Sequence, residues 1–152
     1  MPDFPVNVRA KDYVTERGFT ARSLRLYVTV QIGSVNPPSF VDTGAPFSFA
    51  SFSVARQIRW QLLGSTFVAL GRPSPIDWQS IPCDLGETTI TLHDPTTASQ
   101  SRPVRLIGKF ARARHSVLPN SVVLGMNFVT DNSIDFVLHG VPGSASGVLS
   151  VP

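Results

Sequence analysis

Thirteen prolines and eleven glycines punctuate a chain of 152 residues along its whole length. Proline removes a backbone donor and glycine loses the most entropy on ordering, so both weaken the interior of a helix or a paired strand. Such punctuation suits many short strands joined by turns. At this length the chain is most simply one domain, able to bury roughly 68–70% of the surface its unfolded form would expose. A composition 42% hydrophobic and 15% charged is enough for a real core.

Residues 1–22 are weakly periodic and read as an N-terminal arm or edge segment. From Leu24 the pattern sharpens: Leu24, Leu26, Val28, Val30 and Ile32 alternate with Arg25, Tyr27, Thr29 and Gln31, the period-two signature of a strand with one buried face. Gly33-Ser-Val-Asn-Pro-Pro38 is a turn, after which Phe40-Val41 restarts a strand. Over residues 53–64, Val54, Ala55, Ile58, Leu62 and Leu63 recur at helical spacing, with Ser53 placed to cap the start and Gly64 to end it. A turn-rich tip spans residues 71–78. Strands are expected over residues 88–93, 103–110, 122–124, 134–138 and 148–151, with polar loops between them. The expectation is a mostly β barrel or folded sheet with one or two short helices.

Several kinds of chemistry lack a foothold. The formal charge of +3 rests on arginine, since Lys11 and Lys109 are the only lysines. Its densest cluster, Lys109-Phe-Ala-Arg-Ala-Arg-His115, reads as the solvated face of a strand, so no nucleic-acid partner is expected. His93, His115 and His139 lie far apart without second ligands nearby, and Cys83 stands alone; no metal site and no disulfide is expected. Gly143-Ser-Ala-Ser-Gly147 has alanine where a hydrolase elbow needs its nucleophile, and no phosphate-binding glycine loop occurs. No basic start leads into an apolar leader and no 18 consecutive residues are apolar, so a cytoplasmic protein without a membrane partner is expected.

What remains is Ser39-Phe-Val-Asp-Thr-Gly-Ala-Pro46, which sets a carboxylate directly after an apolar strand. By itself Asp-Thr-Gly is a common Asx-type turn. Some eighty residues later, however, a second apolar run reaches glycine in Val122-Val-Leu-Gly-Met-Asn-Phe128, followed by Ile134-Asp-Phe136. With these two motifs in this order, the chain resembles the retropepsin-like aspartic proteases over residues 24–138. The resemblance implies an acid-protease closed barrel, one lobe per chain, with residues 23–140 as the protease domain and 141–152 as a tail that could join a dimer interface.

The resemblance also implies roles. Asp42 would be the catalytic carboxylate, with Thr43, Gly44, Ala45, Leu124 and Gly125 supporting its loop. The tip would be a flap closing over substrate, where Gly71, Arg72, Ile76 and Trp78 could touch the peptide. Aspartic peptidase chemistry needs two carboxylates sharing a proton, one acting as base on water and the other as acid toward the carbonyl. Only one Asp-Thr-Gly is present, so the partner would be a second Asp42 across a two-fold axis. The implied activity is a homodimeric aspartic endopeptidase on polypeptides, without cofactor or metal. Two departures stand out: Pro46 occupies a position usually polar, and Met126 one where viral members carry arginine. The alternative is a catalytically weak module of the same type that dimerises and binds peptides as an added strand.

Overall fold

A computed structural model describes residues 3–14, 16–71, 78–93, 104–114 and 121–152. Among the described residues, eleven strands and two short helices follow in order: β1 (Asp3–Val14), β2 (Thr20–Val28), β3 (Val30–Ile32), β4 (Ser39–Val41), β5 (Ser48–Ala50), α1 (Phe52–Ala55), β6 (Gln61–Gly71), β7 (Trp78–Leu92), β8 (Val104–Ala113), β9 (Val122–Leu124), α2 (Met126–Asp131), β10 (Asp135–Val141) and β11 (Ser144–Ser150). The strands form one sheet in the order β10-β11-β1-β2-β4-β9-β5-β8-β7-β3, with β6 paired to β7 beside this path. The mostly β architecture with two short helices is as the sequence suggests. Closure is not: the path runs from β10 at one end to β3 at the other without joining them.

One long strand changes partners midway and the next alternating segment breaks to do the same, which lets one sheet wrap its own core. β1 pairs with β11 through residues 3–6 and with β2 through residues 7–14. The alternating segment expected as one strand breaks at Thr29; β2 continues the pairing toward β4, while β3 turns to pair with β7. Thr29 stays tied through its carbonyl, which accepts the His93 N–H at 3.1 Å.

The period-two pattern sends alternate residues to opposite faces of the sheet. On one side lie Val28, Val30, Ile32, Val41, Ala50, Ile90, Leu92, Leu106, Phe110, Val122, Leu124 and Leu149, the main core, closed by Phe128 of α2. The other face of β5, β7, β8 and β9 carries a smaller cluster of Phe49, Ile81, Cys83, Ala111 and Ala113, with Val68 and Val123 against it. Trp60 seals one end of the main core, meeting Phe110 edge-on at 5.3 Å and donating its indole N–H to the Ala55 carbonyl at 2.9 Å.

The helix expected over residues 53–64 is corrected. Only Phe52–Ala55 is helical, it starts at Ser51 rather than Ser53, and residues 61–71 form β6. Val54, Ala55 and Ile58 are buried as the helical spacing implies. Leu62 and Leu63 are exposed, because the ladder from Gln61↔Glu87 to Gly71↔Trp78 outweighs local helical preference. Gly64 ends no helix: with φ 154° it occupies a bulge in that ladder.

Gly108 faces Thr88 in the β7–β8 ladder, where a Cβ would fall 2.5 Å from Phe110 and 2.6 Å from Ile90, both fully buried. Gly108→Ala is therefore expected to cost about 1–3 kcal/mol by overpacking, read as a lower denaturation midpoint in urea. Cys83 is fully buried, its thiol donating weakly to the Ile81 carbonyl at 3.6 Å. Burial pushes the Cys83 thiol up, the Asp84 charge adds to this, and Arg114 opposes it. A raised value in the fold contributes stability below the unfolded thiol's pKa that is lost as pH rises through the folded one. The native protein should react slowly with a thiol-specific disulfide reagent at neutral pH, and at once when denatured.

Candidate active site

β4 lies in the middle of the sheet, antiparallel to β2 on one side and parallel to β9 on the other. β5 pairs with the far side of β9. The chain leaving β4 at Val41 must therefore cross the end of β9 to reach Ser48, a span of about 10 Å at ordinary strand spacing. Residues 42–47 make that crossing, and Gly125 lies directly beneath it. A Cβ on Gly125 would fall 2.6 Å from the Phe47 carbonyl carbon and 2.7 Å from the Ala45 oxygen. Only glycine lets the strand end this close to the loop.

The loop is pinned along its backbone. The Asp42 N–H donates to the Leu124 carbonyl at 3.0 Å and the Ala45 N–H to the Asp42 carbonyl at 3.1 Å. The Gly44 N–H donates to Asp42 Oδ1 at 2.9 Å, and a Cβ on Gly44 would stand 3.2 Å from that oxygen. The first N–H groups of α2 have no partner within their own helix. The loop supplies them: Met126 N–H donates to the Ala45 carbonyl at 2.8 Å and Asn127 N–H to the Pro46 carbonyl at 3.2 Å. Pro46, exposed and without a donor, thus serves through its carbonyl.

Ser48 and Asn127, which no sequence motif singles out, lock the far side. Ser48 Oγ accepts the Gly125 N–H at 2.9 Å, and Asn127 Oδ1 accepts from the Ser48 N–H and hydroxyl at 2.7 and 2.8 Å. Asn127 Nδ2 then donates to the Lys109 carbonyl at 3.0 Å, tying in β8. The available signal was an asparagine two residues after the glycine, too short a cue to specify partners 79 positions away.

Asp42, Thr43 and Gly44 are all exposed. Although Asp42 directly follows an apolar strand, it is not buried within the single chain, because its loop rides on top of the sheet. One carboxylate oxygen is fixed by Gly44 and the group opens to solvent. Among the other acids, Asp84 is held by Arg114 at 2.8 Å and Asp3 by the Ser150 hydroxyl at 2.6 Å. Of the tip residues, Gly71 and Trp78 are opposite one another at the end of the β6–β7 ladder, whereas Arg72, Ile76 and Asp77 lie outside the described residues. In the basic cluster, Arg114 pairs with Asp84, Arg112 stacks over Trp60 at 5.2 Å, and His115 lies outside the described residues. No helix among the described residues is long and apolar enough to cross a membrane.

No protein-family model matches this chain, and no curated protein does. Among solved structures it is similar to a retropepsin-like aspartic protease from Rickettsia conorii, at 10% identity over 94% of each chain, with a TM-score of 0.45.

Gly125→Ala should displace the loop and cost about 1–3 kcal/mol. Asn127→Ala leaves the Ser48 N–H without its acceptor and should also cost about 1–3 kcal/mol. Urea denaturation measures both, and neither change touches a carboxylate.

Proposed function

We propose that this chain is one half of a retropepsin-like aspartic endopeptidase, active as a homodimer in which each copy contributes Asp42. The observation that carries the reading is an exposed carboxylate on a loop pinned by backbone hydrogen bonds at both ends. A surface aspartate needs no such scaffold. A catalytic one does, because a displacement of about 1 Å from productive geometry can cost roughly 10²-fold in rate.

Two Asp42 carboxylates facing across a two-fold axis share one proton, since both cannot readily ionise at close range. The ionised member takes a proton from water as its oxygen attacks the peptide carbonyl carbon. The protonated member donates to the carbonyl oxygen. Collapse of the tetrahedral species breaks the C–N bond, and the amine leaves with a proton returned by the pair. Thr43 bears on the symmetry mate beside the pair, and Gly44 holds one oxygen of each carboxylate in place. The β6–β7 hairpin covers the peptide, which binds in extended form.

Asp42→Asn should abolish cleavage of a fluorogenic peptide library while leaving the folded structure intact. Parent activity should rise faster than linearly with protein concentration at the low end, where monomers predominate. Equal turnover by the parent and Asp42→Asn would contradict the assignment. Peptide binding without any cleavage by the parent would favour the weak-module alternative.

A further inference from the structure

On the outer face of the sheet, beside the Asp42 loop, two arginines and two aromatic rings form a ladder. Asn7↔Tyr27 and Arg9↔Arg25 are cross-strand pairs of β1 and β2, and Tyr27↔Phe40 is a pair of β2 and β4. The Arg9 guanidinium lies 4.3 Å from the Tyr27 ring centre and that of Arg25 5.2 Å from the Phe40 ring centre, while the two rings are 5.9 Å apart. Both arginines are exposed.

Like charges directly opposite in a ladder are destabilising. Stacking on the rings offsets part of this and fixes both guanidinium groups on one face without using their hydrogen-bond donors. Two exposed guanidinium groups at one cross-strand pair offer donors suited to an anion with two oxygens.

Its position relates it to the site. One residue beyond the last β2–β4 pair, Leu26↔Val41, stand Arg25 on one strand and Asp42 on the other. Phe40 precedes Asp42 by two residues, the period at which a strand returns to one face, and in register it adjoins Val123, which packs against the small apolar cluster. An extended peptide reaching Asp42 along this face comes next to the ladder. Beyond it, a cavity of about 370 Å³ is lined by Asn7, Arg9, Tyr27 and Asn36 among others.

The geometry points to Arg9 and Arg25 as specificity-determining residues that select peptide substrates carrying a Glu or Asp side chain near the scissile bond. This rests on the endopeptidase reading for its place in the reaction, although the anion selectivity itself can be measured by binding.

The test uses the full chain carrying Asp42→Asn and paired fluorescein-labelled peptides from an apolar extended library, identical except for Glu or Gln at one position, followed by fluorescence anisotropy. Glu peptides should bind roughly tenfold more tightly for at least one position, the advantage should shrink as salt rises, and Arg9→Gln with Arg25→Gln should erase it. Arg25→Lys should keep only part of it, since lysine lacks the bidentate fork. Melting curves and sedimentation accompany each variant. Equal binding of both peptides, or a Glu advantage that survives the double variant, overturns the proposal. So does loss of the dimer in the arginine variants, which would make the ladder an interface, or tighter binding of single-stranded oligonucleotides than of Glu peptides. Cleavage by the parent chain with no Glu preference defeats this inference alone. A Glu preference in binding with no cleavage defeats the endopeptidase reading alone.

Discussion

A loop can cross the end of a strand at backbone contact distance only where that strand presents no side chain. Gly125 meets this condition, and much of the site follows from it. Because the crossing is so close, the first amides of α2 reach the carbonyls of Ala45 and Pro46, and the Gly125 amide reaches Ser48. Each of these bonds satisfies a backbone group that would otherwise be stranded near a helix end or strand end. Their joint effect is to fix the backbone around Asp42 while its carboxylate stays exposed. Rigidity and exposure together are what a shared carboxylate pair demands, since the mate must approach a group that is already in position.

The alternation of β4, β5 and β9 divides this region between two environments. Val41, Ala50, Val122 and Leu124 anchor the loop in the main core. Phe40, Val123 and Phe49 turn the other way, toward the smaller buried cluster that Phe49 joins. Along that side the buried Phe49 and Ile81 give way to the exposed Arg9 and Arg25. The same short strands thus hold the loop and line the surface beside it, so core substitutions at Val41 or Leu124 would be felt at Asp42.

Much of this was legible in the chain. The alternation from Leu24 to Ile32 marks real strand residues, and Phe40-Val41 and Val122-Val-Leu124 mark the two strands that meet at the loop. What could not be read was long-range pairing. Helical spacing over Val54, Ala55 and Ile58 is genuine burial, but it gave no sign that residues 61–71 would be captured by a ten-pair ladder with β7. Thr29 shows nothing in its alternation of the point where one strand exchanges partners. Likewise, Arg25 and Tyr27 look like any solvent-facing strand residues until the register sets Arg9 and Phe40 beside them. The exposure of Asp42 is a property of the single chain that its apolar neighbours in sequence conceal.

The central claim is that the working site contains two Asp42 carboxylates, one from each copy. Its most direct test is subunit mixing. Parent chain and Asp42→Asn are combined at fixed total concentration, allowed to exchange, and assayed on one cleavable peptide as the parent fraction is varied. If both carboxylates are required, activity follows the square of the parent fraction, so an equal mixture retains about a quarter of full activity. A straight line, with about half the activity left at equal mixing, would mean that each copy works alone, and about three quarters left would mean that one Asp42 per dimer suffices; either would contradict the account.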